Sequence, residues 1–166
     1  MGMFISLSGV IGKMQNEVIS SLSNYARQAN DGLKPDKSIT SNDQNCCVLQ
    51  ELAGNTSILY PYGYVEWDES SAFISKELNT TVFSFHIHDG DFWMYTLYVI
   101  GGVVDKFNPI PDYWDEEISE EEFESWKGNA NLIAELIPGL NQKSIKKVFR
   151  SMGYGSRRCF QNIPGR

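Results

Sequence analysis

The strongest constraint on the fold is one β-hairpin. Val82-Phe83-Ser84-Phe85-His86-Ile87-His88 alternates, Asp89-Gly90 follows, and an aromatic run from Phe92 to Val99 comes next. Period-two alternation marks a strand with unlike faces. Asp-Gly between two such runs favours a type I′ turn, whose central residues both need positive φ. With a two-residue loop at Asp89-Gly90, counting outward from the turn fixes the pairs. His88 faces Asp91, His86 faces Trp93 and Ser84 faces Tyr95 on one side, while Ile87 faces Phe92 and Phe85 faces Met94 on the other. The second side is apolar and is expected to pack on helices. The first carries two imidazoles, a carboxylate, a hydroxyl and two amphipathic aromatics.

The rest of the chain supplies partners for this hairpin. Phe4 to Val10 reads as a strand, and Met14, Val18, Leu22, Tyr25, Ala26 and Ala29 recur at helical spacing up to Asn30-Asp31-Gly32. The polar stretch 34–45 reads as a loop. Cys46 to Leu52 and Thr56 to Tyr60 form a second hairpin across Ala53-Gly54-Asn55. After the break at Pro61-Tyr62-Gly63, Trp67-Asp68 opens a helix with Phe73, Ile74 and Leu78 inward and Asp68 as its cap. Gly101-Gly102 turns the chain into a strand from Val103 to Phe107. Ser119-Glu120-Glu121-Glu122 is a capping box, opening a helix with Phe123, Trp126, Ala130, Ile133 and Ile137 on one face. Gly128 is its bend or break, and Pro138-Gly139 its stop. Asn141 caps a last helix carrying Ile145, Val148 and Phe149.

The order β-α-β-β-α-β-β-β, then helices, implies an α+β fold. A mainly antiparallel sheet with a ferredoxin-like core and an extra hairpin is expected, covered on one face by helices, with a helical C-terminal segment. The 166 residues suit one α+β domain over 1–152, with 153–166 as a flexible basic tail. No apolar run approaches the roughly 20 residues that cross a bilayer, and Met1 to Ser6 lacks the features of a signal peptide. A cytoplasmic, membrane-free protein is expected. Cys46, Cys47 and Cys159 make a poor disulfide framework and read as reduced packing residues.

Net charge is −7, and it is concentrated. Asp112, Asp115, Glu116, Glu117, Glu120, Glu121, Glu122 and Glu124 crowd one stretch, whereas after Glu135 every charged residue is basic. Overall acidity argues against a dedicated nucleic-acid binder. The acidic stretch either binds a basic partner or is a solvated first helical turn at the positive end of a helix dipole. Next to it, Asn108-Pro109-Ile110-Pro111-Asp112-Tyr113-Trp114 is stiffened by prolines. It is either a rigid corner or an aromatic anchor for a partner.

Chemistry has one other address. His86 and His88 share a strand face, and with Asp91 they could supply metal ligands or a His–Asp acid–base pair. Against this, the chain has no third histidine. Ser84 also stands two pairs from His88, about 13 Å along the strand. Walker, Gly-x-Gly-x-x-Gly, Cys-x-x-Cys and His-Glu-x-x-His motifs are absent, and no cofactor is implied.

Phe85-His86-Ile87-His88-Asp89-Gly90-Asp91, Met94-Tyr95, Leu97-Tyr98, Val104-Asp105-x-Phe107-Asn108 and Pro111-Asp112-Tyr113 together resemble an uncharacterised family of small bacterial proteins. The resemblance spans most of residues 3–150 and is densest from Leu78 to Trp114; the tail after Met152 falls outside it. It implies a bacterial source and carries no activity or catalytic residue with it. The expectation is a non-catalytic, protein-binding module, of the toxin-neutralising immunity type, that meets a basic partner. Trp93, Tyr95, Asp112, Tyr113, Trp114, Asp115, Glu116 and Glu117 are its binding residues. The alternative is an enzyme or metal-dependent protein built on His86, His88 and Asp91.

Overall fold

A computed structural model of the chain describes residues 2–29, 32–34, 46–113 and 118–151. The elements run β1 (Ile5–Val10), α1 (Gln15–Gln28), β2 (Val48–Leu52), β3 (Asn55–Leu59), α2 (Trp67–Glu77), β4 (Thr81–His88), β5 (Phe92–Val99), β6 (Gly102–Phe107), α3 (Glu120–Ser125), α4 (Ala130–Leu136) and α5 (Gln142–Ser151). The strands form one six-stranded sheet in the order β2-β3-β1-β4-β5-β6, antiparallel at β2/β3, β3/β1, β1/β4 and β4/β5. The order β2-β3-β1-β4 with α1 and α2 as crossovers is a ferredoxin-like core. β5 and β6 extend it as the extra hairpin, and the class is α+β. The chain divides into two compact units, Met1–Asp105 and Lys106–Arg166.

In the first unit, α1 and α2 pack on one face of the sheet. Val18 and Leu22 of α1 and Ile74 of α2 are buried with Val10, Ile58 and Val82 of the strands and with Tyr60 just after β3. Each large aliphatic side chain so removed from water contributes about 1.5–3 kcal/mol. Burial, then the neighbouring Cys46, pushes the Cys47 thiol up to about 11. Cys159 and the 153–166 tail lie outside the described residues, as do 35–45 of the expected loop.

Two expectations for the central hairpin are overturned. His88 pairs with Phe92, Ile87 with Trp93, His86 with Met94, Phe85 with Tyr95 and Ser84 with Thr96. Asp89 and Gly90 do have positive φ, 53° and 76°, and the Asp91 N–H donates to the His88 carbonyl at 3.0 Å. Asp91 is nevertheless an extra residue before the ladder begins, and one extra residue changes every partner across the hairpin. The covered face also differs. In the first unit α1 and α2 lie on the side of Ser8, Ser84 and His86, not on the side of Phe83 and Phe85.

The turn joining β5 to β6 stores strain. Ile100 has φ 53° and Gly101 φ 79°. At Gly101 a side chain is excluded, because its Cβ would stand 2.8 Å from Lys76 Cβ and 3.3 Å from the Ala72 carbonyl. The Gly101 N–H donates to Ser75 Oγ at 3.0 Å, and that hydroxyl donates to the Thr80 carbonyl at 2.7 Å. The Ile100 N–H donates to the Thr80 carbonyl at 3.4 Å, but its side chain is 59% exposed, and a β-branched residue in this left-handed region is an outlier. Ile100→Asn is expected to stabilise the protein by about 1 kcal/mol, since asparagine tolerates this conformation. A thermal melt checks it.

In the second unit the expected long helix is two helices. Gly128 (φ 69°) donates its N–H to the Lys106 carbonyl at 2.9 Å, and Asn108 N–H donates to the Trp126 carbonyl at 3.0 Å. The chain between α3 and α4 thus pairs alongside Phe107 and leaves the helical path at Trp126. Ser119 Oγ caps α3 by accepting from the Glu122 N–H at 3.1 Å. Asn129 and Asn141 oxygens likewise accept from the first-turn amides of α4 and α5. Phe107 is buried and stacks on Phe149 at 4.6 Å between ring centres. Among the described residues no helix is long and apolar enough to cross a membrane.

Candidate functional site

A layer of buried hydroxyls lies inside the first unit, between α2 and the sheet. Ser70, Ser71 and Ser75 of α2 are fully buried, as are Ser8 and Ser84 on the strands. Small side chains let the helix approach closely, and each buried hydroxyl then needs a partner. Ser8 Oγ lies 2.7 Å from Tyr60 Oη and 2.6 Å from Ser71 Oγ, and Ser70 Oγ donates to Tyr60 Oη at 2.8 Å. Burial raises the Tyr60 pKa, against the lowering effect of these serines, so the phenol stays neutral. Tyr64 stacks on it at 5.2 Å.

Asp68 closes one end of this layer. It was expected to cap α2, yet residue 66 holds the N-cap position without a side-chain hydrogen bond. Asp68 Oδ1 is buried and lacks a hydrogen-bond partner, as does Ser84 Oγ. Burial raises the Asp68 pKa. The hydroxyls of Ser84 and Tyr98 are near enough to favour the carboxylate and oppose that rise, but they do not outweigh it. The same environment pushes the Tyr98 phenol up to about 12, through burial first and then the charges of Asp68 and Glu69.

His86 sits on the same face. Its Nδ1 lies 3.0 Å from Ser6 Oγ, and its ring stacks on Trp67 at 4.5 Å with planes 9° apart. The imidazole is 9% exposed; burial, followed by the charge of His88, lowers its pKa. His88 is packed between Phe4 and Phe92, with ring centres at 4.8 and 5.4 Å. Asp91 belongs to the turn and does not face His88 across the strands. Among the described residues no group of three His, Cys, Asp or Glu side chains is placed to hold a metal ion. The Ser6–His86 contact has the residue types of a nucleophile and base.

Of the expected binding residues, Trp93, Tyr95, Asp112 and Tyr113 are among the described residues. Trp93 and Tyr95 lie on the opposite sheet face from the histidines, in an aromatic group with Phe83 and Phe85. Trp93 stacks on Tyr95 at 6.2 Å, and Phe83 meets Tyr95 edge-on at 5.4 Å. Tyr95 is only 3% exposed, and its hydroxyl donates to Asp105 at 2.7 Å. Asp112 and Tyr113, in the second unit, are exposed. Trp114, Asp115, Glu116 and Glu117 lie outside the described residues.

Sequence reasoning missed Asp68, Tyr60, Tyr98 and the serines of α2. The available signal was the small-residue spacing Ser70-Ser71-x-x-x-Ser75, which puts hydroxyls on one helix face facing a strand that also carries serines. No family model, curated protein or solved structure matches the chain. The resemblance of the Phe85–Asp91 and Val104–Tyr113 stretches therefore rests on those residues alone.

Proposed function

We propose that the chain is a non-catalytic protein-binding module, of the toxin-neutralising type, that engages a basic partner through the acidic surface of its second unit. The observation that carries this reading is α3. None of its residues is buried, and it presents Glu120, Glu121, Glu122 and Glu124 in one short helix. Of these, Glu124 pairs with Lys127; Asp112 and Tyr113 in the same unit are also exposed. Phe123 is its one half-buried residue, and the charge on the exposed positions is available for steering a partner. The free thiol of Cys47 fits a cytoplasmic setting, and the Phe85–Asp91 resemblance fits a bacterial one.

The enzyme reading has less support. His86 is enclosed by Trp67 and Ser6, and Asp91 does not join the histidines. The test is capture of a partner from native lysate at low salt, followed by the Glu120→Lys/Glu121→Lys/Glu122→Lys variant. A charge-steered complex is expected to weaken at least about tenfold in high salt and to be lost in the variant. A partner retained equally by the variant refutes the acidic surface as the binding site.

A further inference from the structure

β2 forms one edge of the sheet, and among the described residues it lacks the devices that guard such edges. Lysine, proline or a bulge blunts most exposed strands. Val48-Leu49-Gln50-Glu51-Leu52 has no lysine or proline and pairs residue for residue with β3. Its one charged side chain, Glu51, is turned back to accept from the Gln15 N–H at 2.9 Å. Leu52 is 76% exposed and Val48 41%.

The ladder fixes which main-chain groups are free. In an antiparallel pair, successive residues direct their N–H and C=O to alternate sides. The tight turn at Ala53-Gly54 makes Leu52 and Asn55 a hydrogen-bonded pair, so Val48, Gln50 and Leu52 use their main-chain groups on β3. Leu49 and Glu51 direct theirs outward, and no hydrogen bond from another described segment meets them.

We propose that this edge is a homodimer interface, in which β2 pairs antiparallel with β2 of a second copy about a two-fold axis at Gln50. In that register Leu49 and the partner's Glu51 exchange both main-chain bonds, and symmetry repeats the exchange. Val48 then stands opposite the partner's Leu52. Leu7, Leu59 and Val48 are already aligned across β1, β3 and β2, so the partner's Leu52 lengthens an apolar row whose Val48 and Leu59 are otherwise exposed. An axis at Glu51 would set the two glutamates against each other, and one at Leu49 would leave Leu52 without an apolar partner. The self-complementary register is the one at Gln50.

The test is sedimentation and light scattering on the full chain over a concentration series, with Leu52→Lys and Gln50→Cys variants. The expected wild-type mass approaches twice the 18.8 kDa of one chain. Leu52→Lys is expected to give a monomer with an unchanged circular-dichroism spectrum, since Leu52 lies at the surface. Gln50→Cys faces itself in a non-hydrogen-bonded pair with Cβ atoms about 4.5–5.5 Å apart, a small adjustment from the span of a disulfide. Mild oxidation should therefore link it into a covalent dimer that the wild type does not form. A monomeric wild type, including one that binds only a foreign peptide along β2, overturns the proposal. So does a dimer indifferent to Leu52→Lys, or a sensitive dimer in which Gln50→Cys does not cross-link.

Discussion

Asp68→Asn is expected to stabilise the protein at neutral pH by about 1–3 kcal/mol, the scale of one buried, poorly paired polar group, and to raise Tm by several degrees. The wild-type carboxyl is buried at Oδ1 without a hydrogen bond, and burial raises its pKa. An ordinary aspartate in the unfolded chain ionises near about 3.9. Below that pH both states hold the proton and the folded form bears no cost. As pH rises past the unfolded value toward the raised folded one, the unfolded chain ionises first and stability is lost. Above the folded pKa the loss is complete and constant. Asparagine has the same shape and never ionises. The gap in Tm between variant and wild type should therefore be widest at neutral pH and close towards pH 3.5 and below, near the unfolded pKa. Using the gap cancels the opposing contributions of the other carboxylates. A gap independent of pH would mean that Asp68 is not held in the raised state.

How much of this was legible in the sequence depends on which force set each feature. The strand order follows from where helices interrupt hairpins, and those boundaries are marked by Gly, Pro and alternation. The α1 face was legible because Val18 and Leu22 are apolar at helical spacing. Register was not, because Asp-Gly predicts the positive φ values but not whether Asp91 enters the ladder. The covered face was misread for a different reason. Apolar pattern alone places Phe83 and Phe85 against helices, whereas Ser70 and Ser71 of α2 match the hydroxyls of Tyr60 and Ser8. A polar layer that satisfies itself can be buried as readily as an apolar one, and its partners are separated by dozens of residues. The break in the α3–α4 region has the same character. Gly128 permits it, but the hydrogen bonds to Lys106 and Asn108 that require it are tertiary.

His86 separates a structural role from a chemical one. His86→Ala removes the stack on Trp67 and leaves Ser6 Oγ, itself buried, without its partner. The expected cost is about 2–4 kcal/mol, a cavity combined with an orphaned hydroxyl. His86→Phe keeps a ring beside Trp67 and loses only the hydrogen bond, for about 1–2 kcal/mol at pH 7. The two costs should respond differently to acid. Burial depresses the folded pKa of His86, so its neutral form contributes stability above the unfolded value near about 6.5. That contribution is lost as pH falls through the depressed folded pKa. Phenylalanine never takes up a proton, and the deficit of His86→Phe relative to wild type should shrink as pH falls below 6. Denaturant unfolding of the two variants at pH 7 and pH 5 gives both numbers. If His86→Phe is as damaging as His86→Ala and its deficit does not change with pH, the ring is not acting as a buried neutral stacking partner.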